Sequence, residues 1–151
     1  SKYEVETPGI VIAYNSIYGN TKAAVELLAS ELTKNGCNKV VVNDLARCDM
    51  HEAIEDAFRY GTLVLASPTY NGSIFPYMKT FISHLTERNF QNRKLAFIEN
   101  GSWAPIAAKI MKTSFEKSKN ICYAQTTVTI KSGLNDDSIQ MIKTLAKELS
   151  N

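Results

Sequence analysis

The sequence predicts an α/β domain: a three-layer, doubly wound sheet of five parallel strands with helices on both faces. Short apolar runs, among them Ile10–Tyr14, Val40–Val42 and Thr62–Ala66, alternate with longer segments whose apolar residues recur at helical spacing. Those runs show almost no in–out alternation, as expected of strands covered on both faces. Long polar loops follow strands rather than helices, which is where open α/β sheets bind ligands. At 151 residues the chain reads as a single domain, with residues 1–8 as an arm or linker and 9–151 as the folded unit.

Each element has its own signal. Gly9 to Tyr14 is the first strand. A helix over about Thr21–Asn35 repeats Ala24, Leu28 and Leu32, and Gly36 suits its C-terminal stop. Lys39–Asn43 is the second strand. Asp49 with Glu52 resembles a capping box for a helix that buries Ile54, Ala57 and Phe58, and Gly61 is expected to break it. Thr62–Ala66 is the third strand. Pro76 opens a helix with Met78, Phe81, Ile82 and Leu85 on one face. Leu95–Ile98 is the fourth strand, and Ala108, Met111 and Phe115 mark the helix after it. The fifth strand is Thr126–Ile130, with a possible earlier start at Ile121. The last helix is Asp136–Leu149, with Ile139, Ile142, Leu145 and Leu149 inward.

Composition narrows the function classes. Hydrophobic residues make up 44% and charged residues 21%, ordinary for a globular protein. No apolar run approaches the roughly 20 residues of a membrane helix. A formal charge of +2, with no dense Lys/Arg block, gives no reason to expect nucleic acid. The three cysteines, Cys37, Cys48 and Cys122, are odd in number and lack Cys-x-x-Cys spacing, which suggests a reduced, cytoplasmic protein. His51 and His84 fall on helix positions that water normally covers, and no metal site is expected. Oligomeric state is not legible.

The chemistry concentrates in three loops at strand ends. The first, Asn15-Ser16-Ile17-Tyr18-Gly19-Asn20-Thr21, leads straight into a helix. Helix-terminal N–H groups and the helix dipole favour an anion there. Ser16, Asn20 and Thr21 add side-chain donors, and Gly19 allows close backbone approach. The loop lacks the Gly-Lys-Ser/Thr of a nucleoside-triphosphate loop and the three glycines of a dinucleotide fingerprint. The second loop is Ser67-Pro68-Thr69-Tyr70-Asn71-Gly72-Ser73, and the third is Glu99-Asn100-Gly101-Ser102-Trp103-Ala104-Pro105. Tyr70 and Trp103 offer aromatic walls to a planar ring, and the neighbouring amides can read its polar edge. A phosphate beside a flat heterocycle suggests a mononucleotide, with flavin the best candidate.

Ser16-Ile17-Tyr18-Gly19-Asn20-Thr21 resembles the phosphate loop of flavodoxins. Ser67-Pro68-Thr69-Tyr70-Asn71 and Asn100-Gly101-Ser102-Trp103-Ala104-Pro105 resemble, more narrowly, the flavin domain of flavodiiron proteins. That likeness covers nearly everything after Pro8. It implies strand order 2-1-3-4-5 and FMN as cofactor. It also implies a cofactor site of Ser16, Ile17, Tyr18, Gly19, Asn20, Thr21, Pro68, Thr69, Tyr70, Asn71, Gly72, Asn100, Gly101, Ser102 and Trp103, with no catalytic side chain. Flavodiiron proteins join this module to a di-iron domain. With only His51 and His84, this chain has no histidine-rich di-iron site of its own.

The expected function is therefore electron transfer: an FMN module passing single electrons to a di-iron site on a fused domain or a redox partner protein. Free flavodoxins are typically acidic, and a pI near 8.4 favours the excised domain, residues 1–8 being linker. The alternative is a stand-alone FMN-dependent NAD(P)H or quinone reductase, for which no nucleotide motif is evident. A receiver-type signalling domain would need clustered acids after strand 1, where Asn15-Ser16 stands. Gly72 is expected to let the Asn71–Gly72 peptide turn a carbonyl toward the flavin when one electron is added.

Overall fold

The computed structural model describes residues 7–17, 19–101, 106–131 and 133–150. Its elements alternate as expected except where β4 follows β3 and β7 follows β6. In chain order they are β1 (Thr7–Tyr14), α1 (Asn20–Lys34), β2 (Val40–Asp44), α2 (Met50–Arg59), β3 (Tyr60–Tyr70), β4 (Ser73–Ile74), α3 (Pro76–Glu87), β5 (Arg93–Asn100), α4 (Ala107–Ser114), β6 (Ile121–Tyr123), β7 (Val128–Ile130) and α5 (Asp136–Leu149). The sheet order is β2-β1-β3-β5-β6, and β7 pairs with β5 further along the same edge. These strands are parallel throughout; only β4 is antiparallel, folded back on β3. Counting β6 and β7 as one interrupted strand, this is the expected 2-1-3-4-5 order.

Strand alternation builds the three layers. Val11, Ala13, Leu63, Leu65, Leu95 and Phe97 face α2, α3 and α4, meeting Ile54, Phe58, Met78, Phe81, Leu85 and Met111. Ile10, Ile12, Val64, Ala66, Ala96 and Ile98 face α1 and α5, meeting Leu28, Leu32, Ile142 and Leu145. Because both faces are covered, the strands can be apolar at every position.

Local chemistry fixes most boundaries. At the end of α1, Gly36 (φ 100°) donates to the Thr33 carbonyl at 3.1 Å, and Cys37 donates to the Leu32 carbonyl at 3.0 Å. This Schellman closure needs a left-handed residue, and glycine supplies it. Asp49 caps α2 by accepting from the His51 N–H at 2.9 Å rather than through a box with Glu52. The capping box stands at α5, where Asn135 and Ser138 bond each other's backbone N–H at 2.9 Å. A serine in the third helical position escapes a search for Glu or Gln.

Gly61 is not the break after α2. The helix runs directly into β3 at Tyr60, and Gly61 lies within the strand. The α2 end is sealed by a side chain instead. Arg93, 2% exposed, donates to the carbonyls of Phe58 (2.6 Å) and Tyr60 (3.1 Å). β1 also begins at Thr7 rather than Gly9, and β3 and β5 run on through Tyr70 and Asn100, into the expected loops.

The fifth strand is split. Tyr123 pairs with Leu95 and Val128 with Ile98, so the edge strand carries two extra residues between the pairs. Glu148 of α5 holds that bulge, accepting the N–H groups of Gln125 at 2.7 Å and Thr126 at 3.1 Å. Among the described residues no helix is long and apolar enough to cross a membrane.

Candidate functional site

The C-terminal edge of the sheet gathers the polar loops. Asn15 extends β1, its N–H donating to the Ala66 carbonyl at 3.0 Å. The chain then turns into α1, whose N-cap is Gly19 in the left-handed region (φ 82°). Lys22 donates its N–H to Ser16 Oγ at 3.1 Å, and Ala23 donates to the Gly19 carbonyl at 3.0 Å. The N–H groups of Asn20 and Thr21 have no acceptor among the described residues. No acidic side chain stands in this first helical turn. Thr21 is fully buried, yet its Oγ1 has no hydrogen-bond partner among the described residues; the same holds for both polar atoms of Asn15. Free N–H groups, an unpaired buried hydroxyl and a positive helix end together form a donor set suited to an anion.

The second loop is a tight hairpin. Thr69 pairs with Ile74 and Tyr70 with Ser73, leaving Asn71 (φ 49°) and Gly72 (φ 72°) as a two-residue connection. Positive φ at both central residues is the type I′ pattern. Gly72 thus already spends its freedom holding the turn. Turning the Asn71–Gly72 peptide would instead strain Asn71, so the conformational barrier moves one residue from where the sequence places it. Tyr70 is 42% exposed and meets Phe75 edge-on, with ring centroids 5.1 Å apart. Pro68 is buried within β3, opposite Asn100.

The third loop leaves β5 at Asn100. Gly101 donates to the Ile130 carbonyl at 2.9 Å, which ties it to β7. Thr69 Oγ1 accepts the Ile106 N–H at 3.2 Å, joining the second and third loops. Glu99, 8% exposed, accepts from the Ala108 N–H (3.0 Å) and the Thr129 hydroxyl (2.8 Å), anchoring the start of α4 against β7. Tyr18, Ser102 and Trp103 lie outside the described residues. The other expected site residues, Ser16, Ile17, Gly19, Asn20, Thr21, Pro68, Thr69, Tyr70, Asn71, Gly72, Asn100 and Gly101, all fall on this one edge.

Sequence reasoning missed two contributors. One is Asn15, which the sequence places at the head of the first loop without counting it among the site residues. The other is the β7–α5 loop: a Cβ built on Gly133 would stand 3.8 Å from Asn20 Oδ1, so this loop reaches the start of α1. Nothing local announces either position.

Around the site, Tyr14 donates to Asp44 at 3.4 Å. Burial raises its phenol pKa, and the negative charge of Asp44 raises it further. Burial pushes the Cys48 thiol up, and the nearby acids Asp44, Asp49 and Glu52 add to this against a backbone hydrogen bond that lowers it, which disfavours the thiolate. A cleft of about 690 Å³ opens at the opposite sheet edge, by Thr86, Gln91, Lys117 and Lys119. It lies away from the strands' C-terminal ends, and no unpaired buried side chain among the described residues lines it.

Known proteins share this architecture. Rubredoxin-oxygen oxidoreductase of Megalodesulfovibrio gigas is 21% identical over 144 residues, covering 95% of this chain and 35% of that protein. The chain thus spans about a third of the length of that relative. The solved rubredoxin oxygen:oxidoreductase from Desulfovibrio gigas superposes with a TM-score of 0.88 at 20% identity, over 96% of this chain and 36% of that one. Oxidised flavodoxin 1 from Bacillus cereus superposes with a TM-score of 0.80 at 15% identity, over 95% and 97% of the two chains. The fold therefore occurs both within a longer oxidoreductase and alone. The Flavodoxin domain family matches residues 11–148, and the chain belongs to that family.

Proposed function

We propose that this chain is an electron-transfer module that holds FMN without covalent attachment and passes single electrons to a di-iron centre on a fused domain or partner. Flavodoxin domains and their flavodiiron relatives bind FMN. The observation that carries the reading is Thr21: a buried hydroxyl without a partner among the described residues, at the start of a helix whose first N–H groups find no acceptor there either. A phosphate monoester fits that donor set. The N–H groups of Asn20 and Thr21 and the Thr21 hydroxyl would hold it. Ser16 Oγ, already accepting from Lys22, keeps its own O–H to donate. The Tyr70 hairpin, the Asn100–Gly101 loop and, from the sequence, Trp103 would flank the ring.

Bound FMN would supply the one-electron chemistry, so no side chain need act as acid, base or nucleophile. The protein's part is to bind, orient and limit water around the ring. Titrating the FMN-free protein with FMN and with riboflavin tests the phosphate site, and equal affinities would remove it. Rapid NADPH oxidation with a quinone by the purified holoprotein would overturn the electron-transfer role in favour of a reductase.

A further inference from the structure

The polar side chain that the phosphate site leaves unused is Asn15. It is 1% exposed, and neither Nδ2 nor Oδ1 has a hydrogen-bond partner among the described residues. Its backbone is fixed by the bond to Ala66, one step beyond the Tyr14–Ala66 pair. The register sets it beside Ser67, but that hydroxyl is engaged, donating to the Pro68 carbonyl (3.0 Å) and accepting from the Phe75 N–H (3.4 Å). Asn15 therefore lies between the first and second loops with a complete amide unsatisfied. Buried polar groups are rarely left so.

The chemistry of the amide selects its partner. It offers two N–H donors and one carbonyl acceptor. A phosphate would use the donors alone and offer the carbonyl oxygen nothing. A hydroxyl both donates and accepts, so the matching ligand is a polyhydroxylated chain next to the phosphate. We infer that Asn15 binds the sugar-alcohol chain joining the phosphate to the ring of FMN. Nδ2 donates to a hydroxyl oxygen of the chain, and Oδ1 accepts from a hydroxyl hydrogen. This rests on the FMN reading above and adds Asn15 to the binding residues.

Asn15→Leu tests it, because leucine keeps the approximate size and removes both polar atoms. In the FMN-free protein the substitution is expected to raise the thermal midpoint by about 2–4 °C, since it removes an unpaired buried amide. FMN should bind about tenfold more weakly, equivalent to 1.4 kcal/mol. A flavin phosphate whose five-carbon chain lacks hydroxyls isolates the contact. The preference of the wild type for FMN over this analogue should exceed that of the variant about tenfold. Asn15→Ala repeats both measurements without added bulk, in case leucine is not accommodated. Equal discrimination by wild type and variants overturns the inference, as does a loss of FMN-free stability in both variants, which would mean a partner inside the protein. Failure of the wild type to bind either flavin phosphate overturns the FMN reading, and this inference with it.

Discussion

Asn71→Gly is expected to raise the first one-electron potential of bound FMN by about 40 mV while FMN affinity stays nearly unchanged. Asn71 and Gly72 are the central pair of a type I′ hairpin, with φ of 49° and 72°. Turning the peptide between them gives type II′, in which Gly72 returns to negative φ and the first central residue keeps positive φ. Type II′ favours glycine at that first position. For asparagine, sparsely populated backbone of this kind costs about 1–3 kcal/mol. A neutral hydrogen bond accepted by the turned carbonyl returns only about 1 kcal/mol net. In the wild type the cost equals or exceeds the return, and the hairpin stays as it is. Glycine at position 71 removes the cost, so the full bond becomes available to the one-electron-reduced protein. With about 59 mV per factor of ten for one electron, 1 kcal/mol converts to the 40 mV expected. Gly72→Val would place a β-branched residue at φ 72°, at a cost of about 1–2 kcal/mol in the unturned hairpin, which turning the peptide would relieve. It should weaken the unturned hairpin without removing the cost at Asn71. Stepwise spectroelectrochemical titration of the three proteins decides the matter. A shift in Gly72→Val with none in Asn71→Gly would refute the reasoning.

Thr21→Val should weaken FMN roughly 10- to 100-fold, from a charge-assisted bond of about 1.5–3 kcal/mol, and leave riboflavin affinity unchanged. Fluorescence titration reads both. Arg93→Met should lower stability by about 2–4 kcal/mol in urea unfolding, because the Phe58 and Tyr60 carbonyls lose a buried donor. FMN affinity of the folded protein should not change, since Arg93 opens β5 at the edge away from the site. Glu148 carries a pH dependence. Slight burial favours its neutral form, but the N–H bonds from Gln125 and Thr126 and the charge of Lys94 outweigh this and hold its carboxyl below the ordinary value. A lowered folded pKa means that its stabilisation is present above the ordinary glutamate range and is lost as pH falls through the folded value. Denaturation from neutral pH into the acid range should show wild type and Glu148→Gln converging at the acid end. A constant gap would show that the carboxylate charge plays no part.

Much of the architecture was legible because each signal was local. Ile10–Ala13 and Leu63–Ala66 are apolar on both faces, and only a strand covered on both faces wants that. Gly36 sits where a Schellman closure needs it. What the sequence hid depends on distant partners. The split of the edge strand into β6 and β7 follows from Glu148, more than twenty residues downstream of the bulge it holds. Gly61 looked like a helix breaker because Arg93, the group that ends α2, lies more than thirty residues away. The hairpin was legible in principle: Asn-Gly is a strong turn signal, but the two-residue β4 gives it little flanking strand. In the site, Ser16, Gly19 and Thr21 follow a recognisable order. Asn15 does not, because burial without a partner is a property of the folded chain rather than of a residue type.

The two edges of the sheet treat polar groups in opposite ways. At one edge, Arg93 is buried and its guanidinium meets the carbonyls of Phe58, Tyr60 and Gln91. At the other, Asn15 and Thr21 are equally buried and unmatched among the described residues. A chain selected for stability alone would fill those positions with apolar residues, as it does at neighbouring Ala13 and Ala24. Retaining hydrogen-bonding atoms there destabilises the empty fold, and the proposed phosphate-bearing, hydroxyl-bearing ligand would recover that energy on binding. Stability and recognition are thereby assigned to opposite ends of the same strands. This is why the N-terminal edge can be anchored by an arginine while the C-terminal edge ends in glycines, amides and hydroxyls.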